Sequence, residues 1–323
     1  MTTRVASELP HINDEKLGEI LGFVVGDGTV YKKKNRIAFS NSEMFCIKEI
    51  LDNFKDVFGV EKDRFRYYLS ISSKENSAST LRIWKNYLKL HRDVKVYEEK
   101  RTKKRFGYLQ VMITDAHISE KIKNHIERIV SEKEENKAIL LGFLRGFFAA
   151  EGAIIPGKTT REIPNAVQFP QKGRQLPEII SRILMGFGIE NRVVIKQKKA
   201  DYYCVNITGF ENFKRVFVLH IADLHPEKRK KLENGLLSYK KVVSRKFKMP
   251  VKLLKALDKK PMTRNQIYEL MNSYPQRVNG MLYSKRSCLV KGKLIIKEAA
   301  KDGVAIWKIT EDGLEFLKNM RNY

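Results

Sequence analysis

Two acidic residues, Asp27 and Glu151, close two apolar runs of the same design, ILGFVVGDG at 20–28 and LRGFFAAEG at 144–152. Each run carries small residues four apart: Gly22 and Gly26 in the first, Gly146 and Ala150 in the second. Positions i and i+4 share a helix face, so the missing bulk lets two helix backbones approach closely. If the runs pack together, the carboxylates emerge side by side at two helix C-termini. Negative charge is unfavourable there, because the helix dipole is negative at that end and like charges repel. A divalent cation with oxygen ligands removes both objections. The competing reading is a pair of ordinary buried helices, each ended by a glycine C-cap.

Both stretches resemble the signature of the LAGLIDADG homing endonucleases. They align with that nonapeptide without gaps, with Val25 and Ala149 in place of its first acid. The resemblance covers about three quarters of the chain. It implies a site-specific double-strand DNA endonuclease, with Asp27 and Glu151 as direct ligands of Mg²⁺ (or Mn²⁺) and main-chain oxygens near Gly26 and Ala150 assisting. Each strand would be cut from one composite centre, across the minor groove, leaving short 3′ overhangs. Members also use a lysine after the last helix of each half, and Lys133 and Lys228 match it, with Lys231 as a neighbour; a solvated surface lysine is the alternative. Many members place Gln or Asn near the metal water after an apolar-Phe pair. Here Phe39 is followed by Ser40 and Phe169 by Pro170, a departure that leaves Gln168 and Gln171 as nearby substitutes.

The surrounding chain must position these groups. It has 323 residues, 42% of them hydrophobic, enough for a sizeable core. Lys plus Arg number 63 against 37 Asp plus Glu, a formal net charge of +26, which points to a polyanionic partner. No apolar run reaches the roughly 20 residues of a membrane span, and the N-terminus lacks a signal-peptide core. The expectation is a cytoplasmic, nucleoid-associated monomer. Cys46, Cys204 and Cys288 form no CxxC pair, and the six histidines are dispersed; neither a zinc site nor a disulfide framework is indicated. The chain begins MTTRV and ends MRNY without an intein splicing signature, so a free-standing protein is expected.

Apolar spacing predicts a helix over 14–27 capped by Asn13, a hairpin turning at Lys32, Lys33, Lys34 and Asn35, and a helix over 43–58. Strands follow at 64–72 and 108–114, then a helix at 116–129. The order repeats: a helix ending at Glu151, a β region at 153–169, a helix at 176–187, strands at 192–197 and 202–208, and a helix at 211–220. Asp27 matches Glu151 at an offset of 124 (151 − 27), whereas Thr114 matches Thr208 at an offset of 94 (208 − 114). The first copy therefore carries an insertion, placed at 74–105, where KVYEEKRTKKRF reads as a charged strand or loop.

The expected fold is α+β: tandem pseudo-twofold αββαββα repeats with antiparallel sheets, spanning 1–135 and 136–244, plus a winged helix-turn-helix at 245–323. A basic β-surface can track a DNA major groove. Candidate contacts are Lys32, Lys34, Arg36, Ser40, Arg66 and Tyr68 in the first half, and Gln168, Gln171, Lys196, Lys198 and Tyr203 in the second. At the C-terminus Thr263 opens a helix, residues 274–289 read as the recognition helix carrying Arg277, Asn279, Lys285 and Arg286, and a two-strand wing turns at Lys301, Asp302 and Gly303. The partner expected is double-stranded DNA. Two other functions stay open: a non-cleaving DNA-binding transcriptional regulator on the same fold, and an RNA-binding intron maturase.

Overall fold

The computed structural model describes residues 10–72, 76–99, 106–157, 164–197, 200–284, 287–299 and 304–321. Lys198, Lys285, Arg286 and the expected wing turn at 301–303 lie outside them. The chain clusters into two units, Met1–Leu236 and Leu237–Tyr323.

The first half of the first unit runs α1 (Pro10–Asp27), β1 (Gly28–Tyr31), β2 (Arg36–Asn41), α2 (Met44–Phe58), β3 (Arg66–Ser72), α3 (Ser77–Leu88), β4 (Val94–Glu99), β5 (Tyr108–Thr114) and α4 (Ala116–Val130). The second runs α5 (Lys137–Glu151), β6 (Ala153–Pro156), β7 (Pro164–Lys172), α6 (Gln175–Gly186), β8 (Asn191–Gln197), β9 (Tyr202–Ile207) and α7 (Phe210–Val218). Local chemistry sets most of these boundaries. Asn35 takes the left-handed conformation that returns the chain from β1 into β2, at φ 46°. Gly59, at φ 65°, ends α2 and donates its N–H to the Lys55 carbonyl, while the Val60 N–H donates to the Phe54 carbonyl. Asn136 caps α5 by accepting from the Ala138 and Ile139 N–H groups. Asn13 is not a cap: α1 opens at Pro10, where a missing N–H costs nothing because the first turn has no acceptor for it.

The two sheets follow the orders β1-β2-β5-β3-β4 and β6-β7-β9-β8. Four strands correspond one for one, and the first sheet adds β4. The expectation of wholly antiparallel sheets fails at this strand, since β4 pairs parallel to β3. A tight hairpin cannot deliver a parallel neighbour; a crossover is required, and α3 supplies it. Trp84 fixes that crossover. It is fully buried, and its indole N–H donates to the Phe106 carbonyl at 2.8 Å.

One apolar core underlies both halves. Phe39 of β2 meets Phe23 of α1 edge-on at 5.9 Å, and Phe169 of β7 meets Phe147 of α5 at 6.4 Å. The two sheets thus pack on the central helices through matching aromatic pairs.

The boundary between units falls within α8 (Pro226–Lys259). The second unit continues with β10 (Met262–Thr263), α9 (Arg264–Met271), α10 (Pro275–Tyr283), α11 (Cys288–Lys291), β11 (Ile295–Ala299), β12 (Ala305–Ile309) and α12 (Glu311–Arg321). Its antiparallel sheet has the order β10-β12-β11 and covers a separate core that includes Leu254, Ile267, Val278 and Trp307. Thr263 opens α9 through a reciprocal capping box with Gln266. The single helix expected at 274–289 is not formed. α10 stops at Tyr283, where Ser284 adopts extended backbone, and α11 is a separate turn. Among the described residues no helix is long and apolar enough to cross a membrane.

Candidate metal and nucleic-acid site

Helices α1 and α5 pack backbone to backbone. A Cβ built on Gly22 would overlap the Phe143 carbonyl oxygen and crowd the Phe147 N–H; one on Gly146 would overlap the Glu19 carbonyl oxygen and crowd the Phe23 N–H. Each set maps onto the other at the offset of 124 (146 − 22), so the contact is reciprocal. The stripe is longer than the nonapeptide: Gly18 and Gly142 make the same approach one turn earlier. At the far end, the Cβ position of Gly26 lies 2.6 Å from the Ala150 Cβ and 3.4 Å from the Glu151 Cγ. The two acid-bearing ends therefore meet.

Glycine follows each acid for a reason other than helix capping. Gly152 has φ −59°, and Gly28 is not among the residues with positive φ. A side chain at Gly28 would strike the Ala38 and Val24 carbonyl oxygens at 2.7 and 2.8 Å, and one at Gly152 would strike the Phe148 ring. Bulk is excluded so that the strand can leave tightly against its helix.

Asp27 and Glu151 are both half-buried. Burial pushes the Asp27 carboxyl above its ordinary range, opposed by a hydrogen bond from the Asn41 amide and by the Lys228 charge. Burial also raises Glu151, the Asp27 charge raises it further, and Lys228 opposes. The Asn41 Nδ2 to Asp27 Oδ2 distance is 2.5 Å. Lys228 Nζ donates to the Phe148 and Ala149 carbonyls at 2.9 and 2.8 Å, at the C-terminal end of α5. Burial pulls this ammonium down to about 8. A cleft of about 680 Å³ opens beside these groups, lined among others by Asp27, Ser40, Asn41, Ala150, His225 and Lys228. Tyr202 of β9 is also close, since Glu151 raises its hydroxyl pKa after burial does.

The donor set fits a hard divalent ion. Among the described residues no three or more His, Cys, Asp or Glu side chains converge as a metal group. Two carboxylates with room beside them are how Mg²⁺ is ordinarily held, its remaining positions filled by water and substrate phosphate. Cys46 is buried, with its thiol pushed up to about 12, and donates to the Leu224 carbonyl at 3.0 Å; it is a packing residue.

The two lysines expected as partners diverge. Lys228 sits in the first turn of α8, which Pro226 starts at once. Lys133 follows α4 in a turn, is exposed, and does not line the cleft. Lys231 is exposed and paired with Glu227 at 3.8 Å.

Residues paired across strands share a sheet face. On the face away from the core, Ser40 pairs with Gln110, which pairs with Tyr68; Arg66 pairs with Met112, and Arg36 with Thr114. The candidates Arg36, Ser40, Arg66 and Tyr68 therefore lie together, and the Arg36 Nε is enclosed with no acceptor among the described residues. Lys32 and Lys34 occupy the 3₁₀ turn beside them. In the second half, Gln168 pairs with Asn206, which pairs with Arg192. Gln168 Nε2 donates to Asn206 Oδ1 at 3.1 Å, and Lys196 Nζ donates to Gln168 Oε1 at 3.1 Å. Gln171 and Tyr203 pair with each other in the alternate register, the face of Phe169 and Val205. They cannot read with Gln168. In the second unit Arg277 is exposed, while Asn279 accepts from the Tyr268 hydroxyl at 2.7 Å. Sequence reasoning missed Asn41, Gln110, Asn206 and Tyr202. The signal for Asn41 was its place two residues after Phe39.

This is an α+β fold built on two acid-ended helices. Residues 138–219, within the second half of the first unit, match the family model described as LAGLIDADG-like domain. The chain is 27% identical over 255 residues to the tRNA-splicing ligase RtcB of Pyrococcus furiosus, covering 74% of this chain and spanning 24% of that relative. It thus spans about a quarter of the length of that curated relative. Among solved structures, the homing endonuclease I-DmoI in complex with DNA and Ca is 18% identical, covering 67% of this chain and 96% of that one, with a TM-score of 0.39. Full-length DUF199/WhiA from Thermatoga maritima is 12% identical, covering 86% of this chain and 90% of that one, with a TM-score of 0.42.

Proposed function

We propose that the chain is a site-specific double-strand DNA endonuclease of the homing type, with Asp27 and Glu151 holding Mg²⁺ or Mn²⁺ alongside main-chain oxygens near Gly26 and Ala150. One observation carries this reading: two half-buried carboxylates, both disfavoured as anions, end reciprocally packed helices beside an open cleft. Lys228 offsets the two charges only in part, since both carboxyls stay above their ordinary range, and a further cation would favour the ionised pair. A bound divalent ion supplies charge to offset that of the attacked phosphate and the departing oxygen, and acidifies a water. Asn41 orients the Asp27 carboxylate. Lys228 satisfies the end carbonyls of α5 and adds positive charge beside both acids, whereas Lys133 is a solvated residue. DNA lies along the outer sheet faces, against Arg36, Ser40, Arg66 and Tyr68 with Lys34 beside them on one side and Gln168 and Lys196 on the other. The second unit is a winged helix-turn-helix whose exposed Arg277 contacts the DNA backbone.

The test is cleavage of a randomised or genomic DNA library with Mg²⁺, alongside Asp27→Asn and Glu151→Gln. Discrete double-strand cuts lost in both variants support the reading; cuts that persist in both remove the metal assignment. The second reading is a non-cleaving DNA-binding regulator. The Lys228 contact favours it, because an ammonium already neutralises the α5 terminus without any metal. Specific binding with no cuts under Mg²⁺ or Mn²⁺ would decide for it.

A further inference from the structure

The inserted segment adds to the first sheet something the second sheet lacks. β1 starts at Gly28, directly after Asp27, so it is the sheet edge next to the acids. β4 is the opposite edge, four strands away, or roughly 19 Å at the usual strand spacing. The register fixes which of its side chains share the outer face. Lys95 pairs with Tyr68, and Tyr97 with Ser70. Tyr68 in turn pairs with Gln110, and Gln110 with Ser40. Ser40, Gln110, Tyr68 and Lys95 thus form one unbroken row across four strands. The alternate residues, Val94 and Val96, pack on the core.

Tyr97 is 48% exposed, and its ring stacks on Tyr68 at 6.2 Å between centroids with an interplanar angle of 27°. The stack lies within the outer face, beside the exposed Lys95 and Arg66. A large exposed aromatic held in place by a neighbouring ring, with two cations next to it, suits a polyanion that also offers flat or apolar groups. In a chain of net charge +26, duplex DNA meets that description.

We propose that β4 extends the DNA-contacting face of the first half by one strand, with Lys95 on a phosphate and Tyr97 against sugar or base edges. The protein then reads an asymmetric site, longer on the side of the first half. This rests on the endonuclease reading only for the identity of the partner as duplex DNA. One strand spacing of about 4.8 Å against about 3.4 Å per base step corresponds to about one to two extra base pairs.

The experiment is hydroxyl-radical footprinting and missing-base interference of the full-length protein, without activating metal, on a duplex selected by that protein from a randomised library. Wild type is compared with Lys95→Ala/Tyr97→Ala and with Tyr97→Phe, after thermal unfolding confirms that each is folded. The expected result is protection lost over one to two base pairs at one end only in the double variant, with about tenfold weaker binding, and retained in Tyr97→Phe. An unchanged footprint in the double variant overturns the proposal and leaves the endonuclease reading intact. If, in addition, wild type sediments as a dimer and the double variant does not, the strand edge belongs to a second copy of the chain. Failure of wild-type protein to select any duplex overturns both.

Discussion

Asn41 donates to Asp27 at 2.5 Å, and among the described residues the second acid has no counterpart to this contact in register. Gly28 pairs with Phe39 and Ala153 with Gln168, so Gln171 occupies the position in β7 that Asn41 occupies in β2. Gln171 instead accepts from the Lys172 N–H at 2.9 Å. Asp27 is therefore the better-ordered carboxylate of the pair. Asn41→Ala is expected to weaken Ca²⁺ or Mn²⁺ binding about 10-fold to 100-fold, the usual cost of removing a group that orients a ligand. Isothermal titration of the DNA complex measures it; unchanged affinity would mean that Asn41 serves only the β2 to α2 turn.

The reciprocal glycines make a stability prediction. Gly22→Ala and Gly146→Ala each force a methyl group into the opposing backbone, which cannot give way as a flexible side chain would. Each should cost about 3 kcal/mol, the upper end for overpacking, or prevent folding. Gly186→Ala is the control: nothing lies near its Cβ position, and alanine is the better helix former, so it should be neutral or stabilising by about 0.5 kcal/mol. Chemical denaturation of the three variants checks the contrast. Equal behaviour at positions 22 and 186 would refute the close approach of α1 and α5.

Glu19 should give a pH signature. It is half-buried beside Asn53, which donates to it at 2.7 Å, and beside Arg145 at 3.7 Å. Burial is the largest influence and holds its pKa above 4.5 in spite of both partners. The folded chain therefore keeps the proton over a range in which the unfolded chain has released it. Stability from this source is fully present below the ordinary value and is lost as pH rises through the raised one. Glu19→Gln removes that loss. The difference in Tm, variant minus wild type, should climb as pH rises from 4.5 towards neutrality. A flat difference would show that Arg145 fully compensates the buried charge.

In the second unit, Arg277 and the 80% exposed Tyr274 stand at the start of α10. If this turn faces the DNA backbone, Arg277→Ala should reduce the slope of log affinity against log salt by about 0.9, one phosphate contact. The loss should be the same on specific and random duplexes. An unchanged slope would leave the unit with another task.

The double motif was legible because its chemistry is local. Small residues four apart and an acid at the end of each run define a helix face and its terminus, whatever surrounds them. The strand that begins at Tyr108 and the turn at Asn35 were legible too, from alternation and from a residue tolerant of positive φ. The insertion could be located by the change in offset between repeats, but not the parallel pairing of β4, because strand direction depends on where the α3 crossover delivers the chain.

Tertiary structure alone separated residues that look equivalent along the chain. The β region expected at 153–169 stopped short of Gln171; β7 runs unbroken to Lys172, so Gln168 and Gln171, three apart, fall on opposite faces. Lys133 and Lys228 occupy matching places in the repeat. Yet α8 begins at Pro226 and carries Lys228 back onto the α5 carbonyls, whereas the turn after α4 leaves Lys133 in solvent. The sequence by itself determined which groups exist and the local elements that carry them. The small-residue pattern permitted α1 and α5 to approach, but the convergence of Asp27, Asn41 and Lys228 on one cleft was decided by long-range packing.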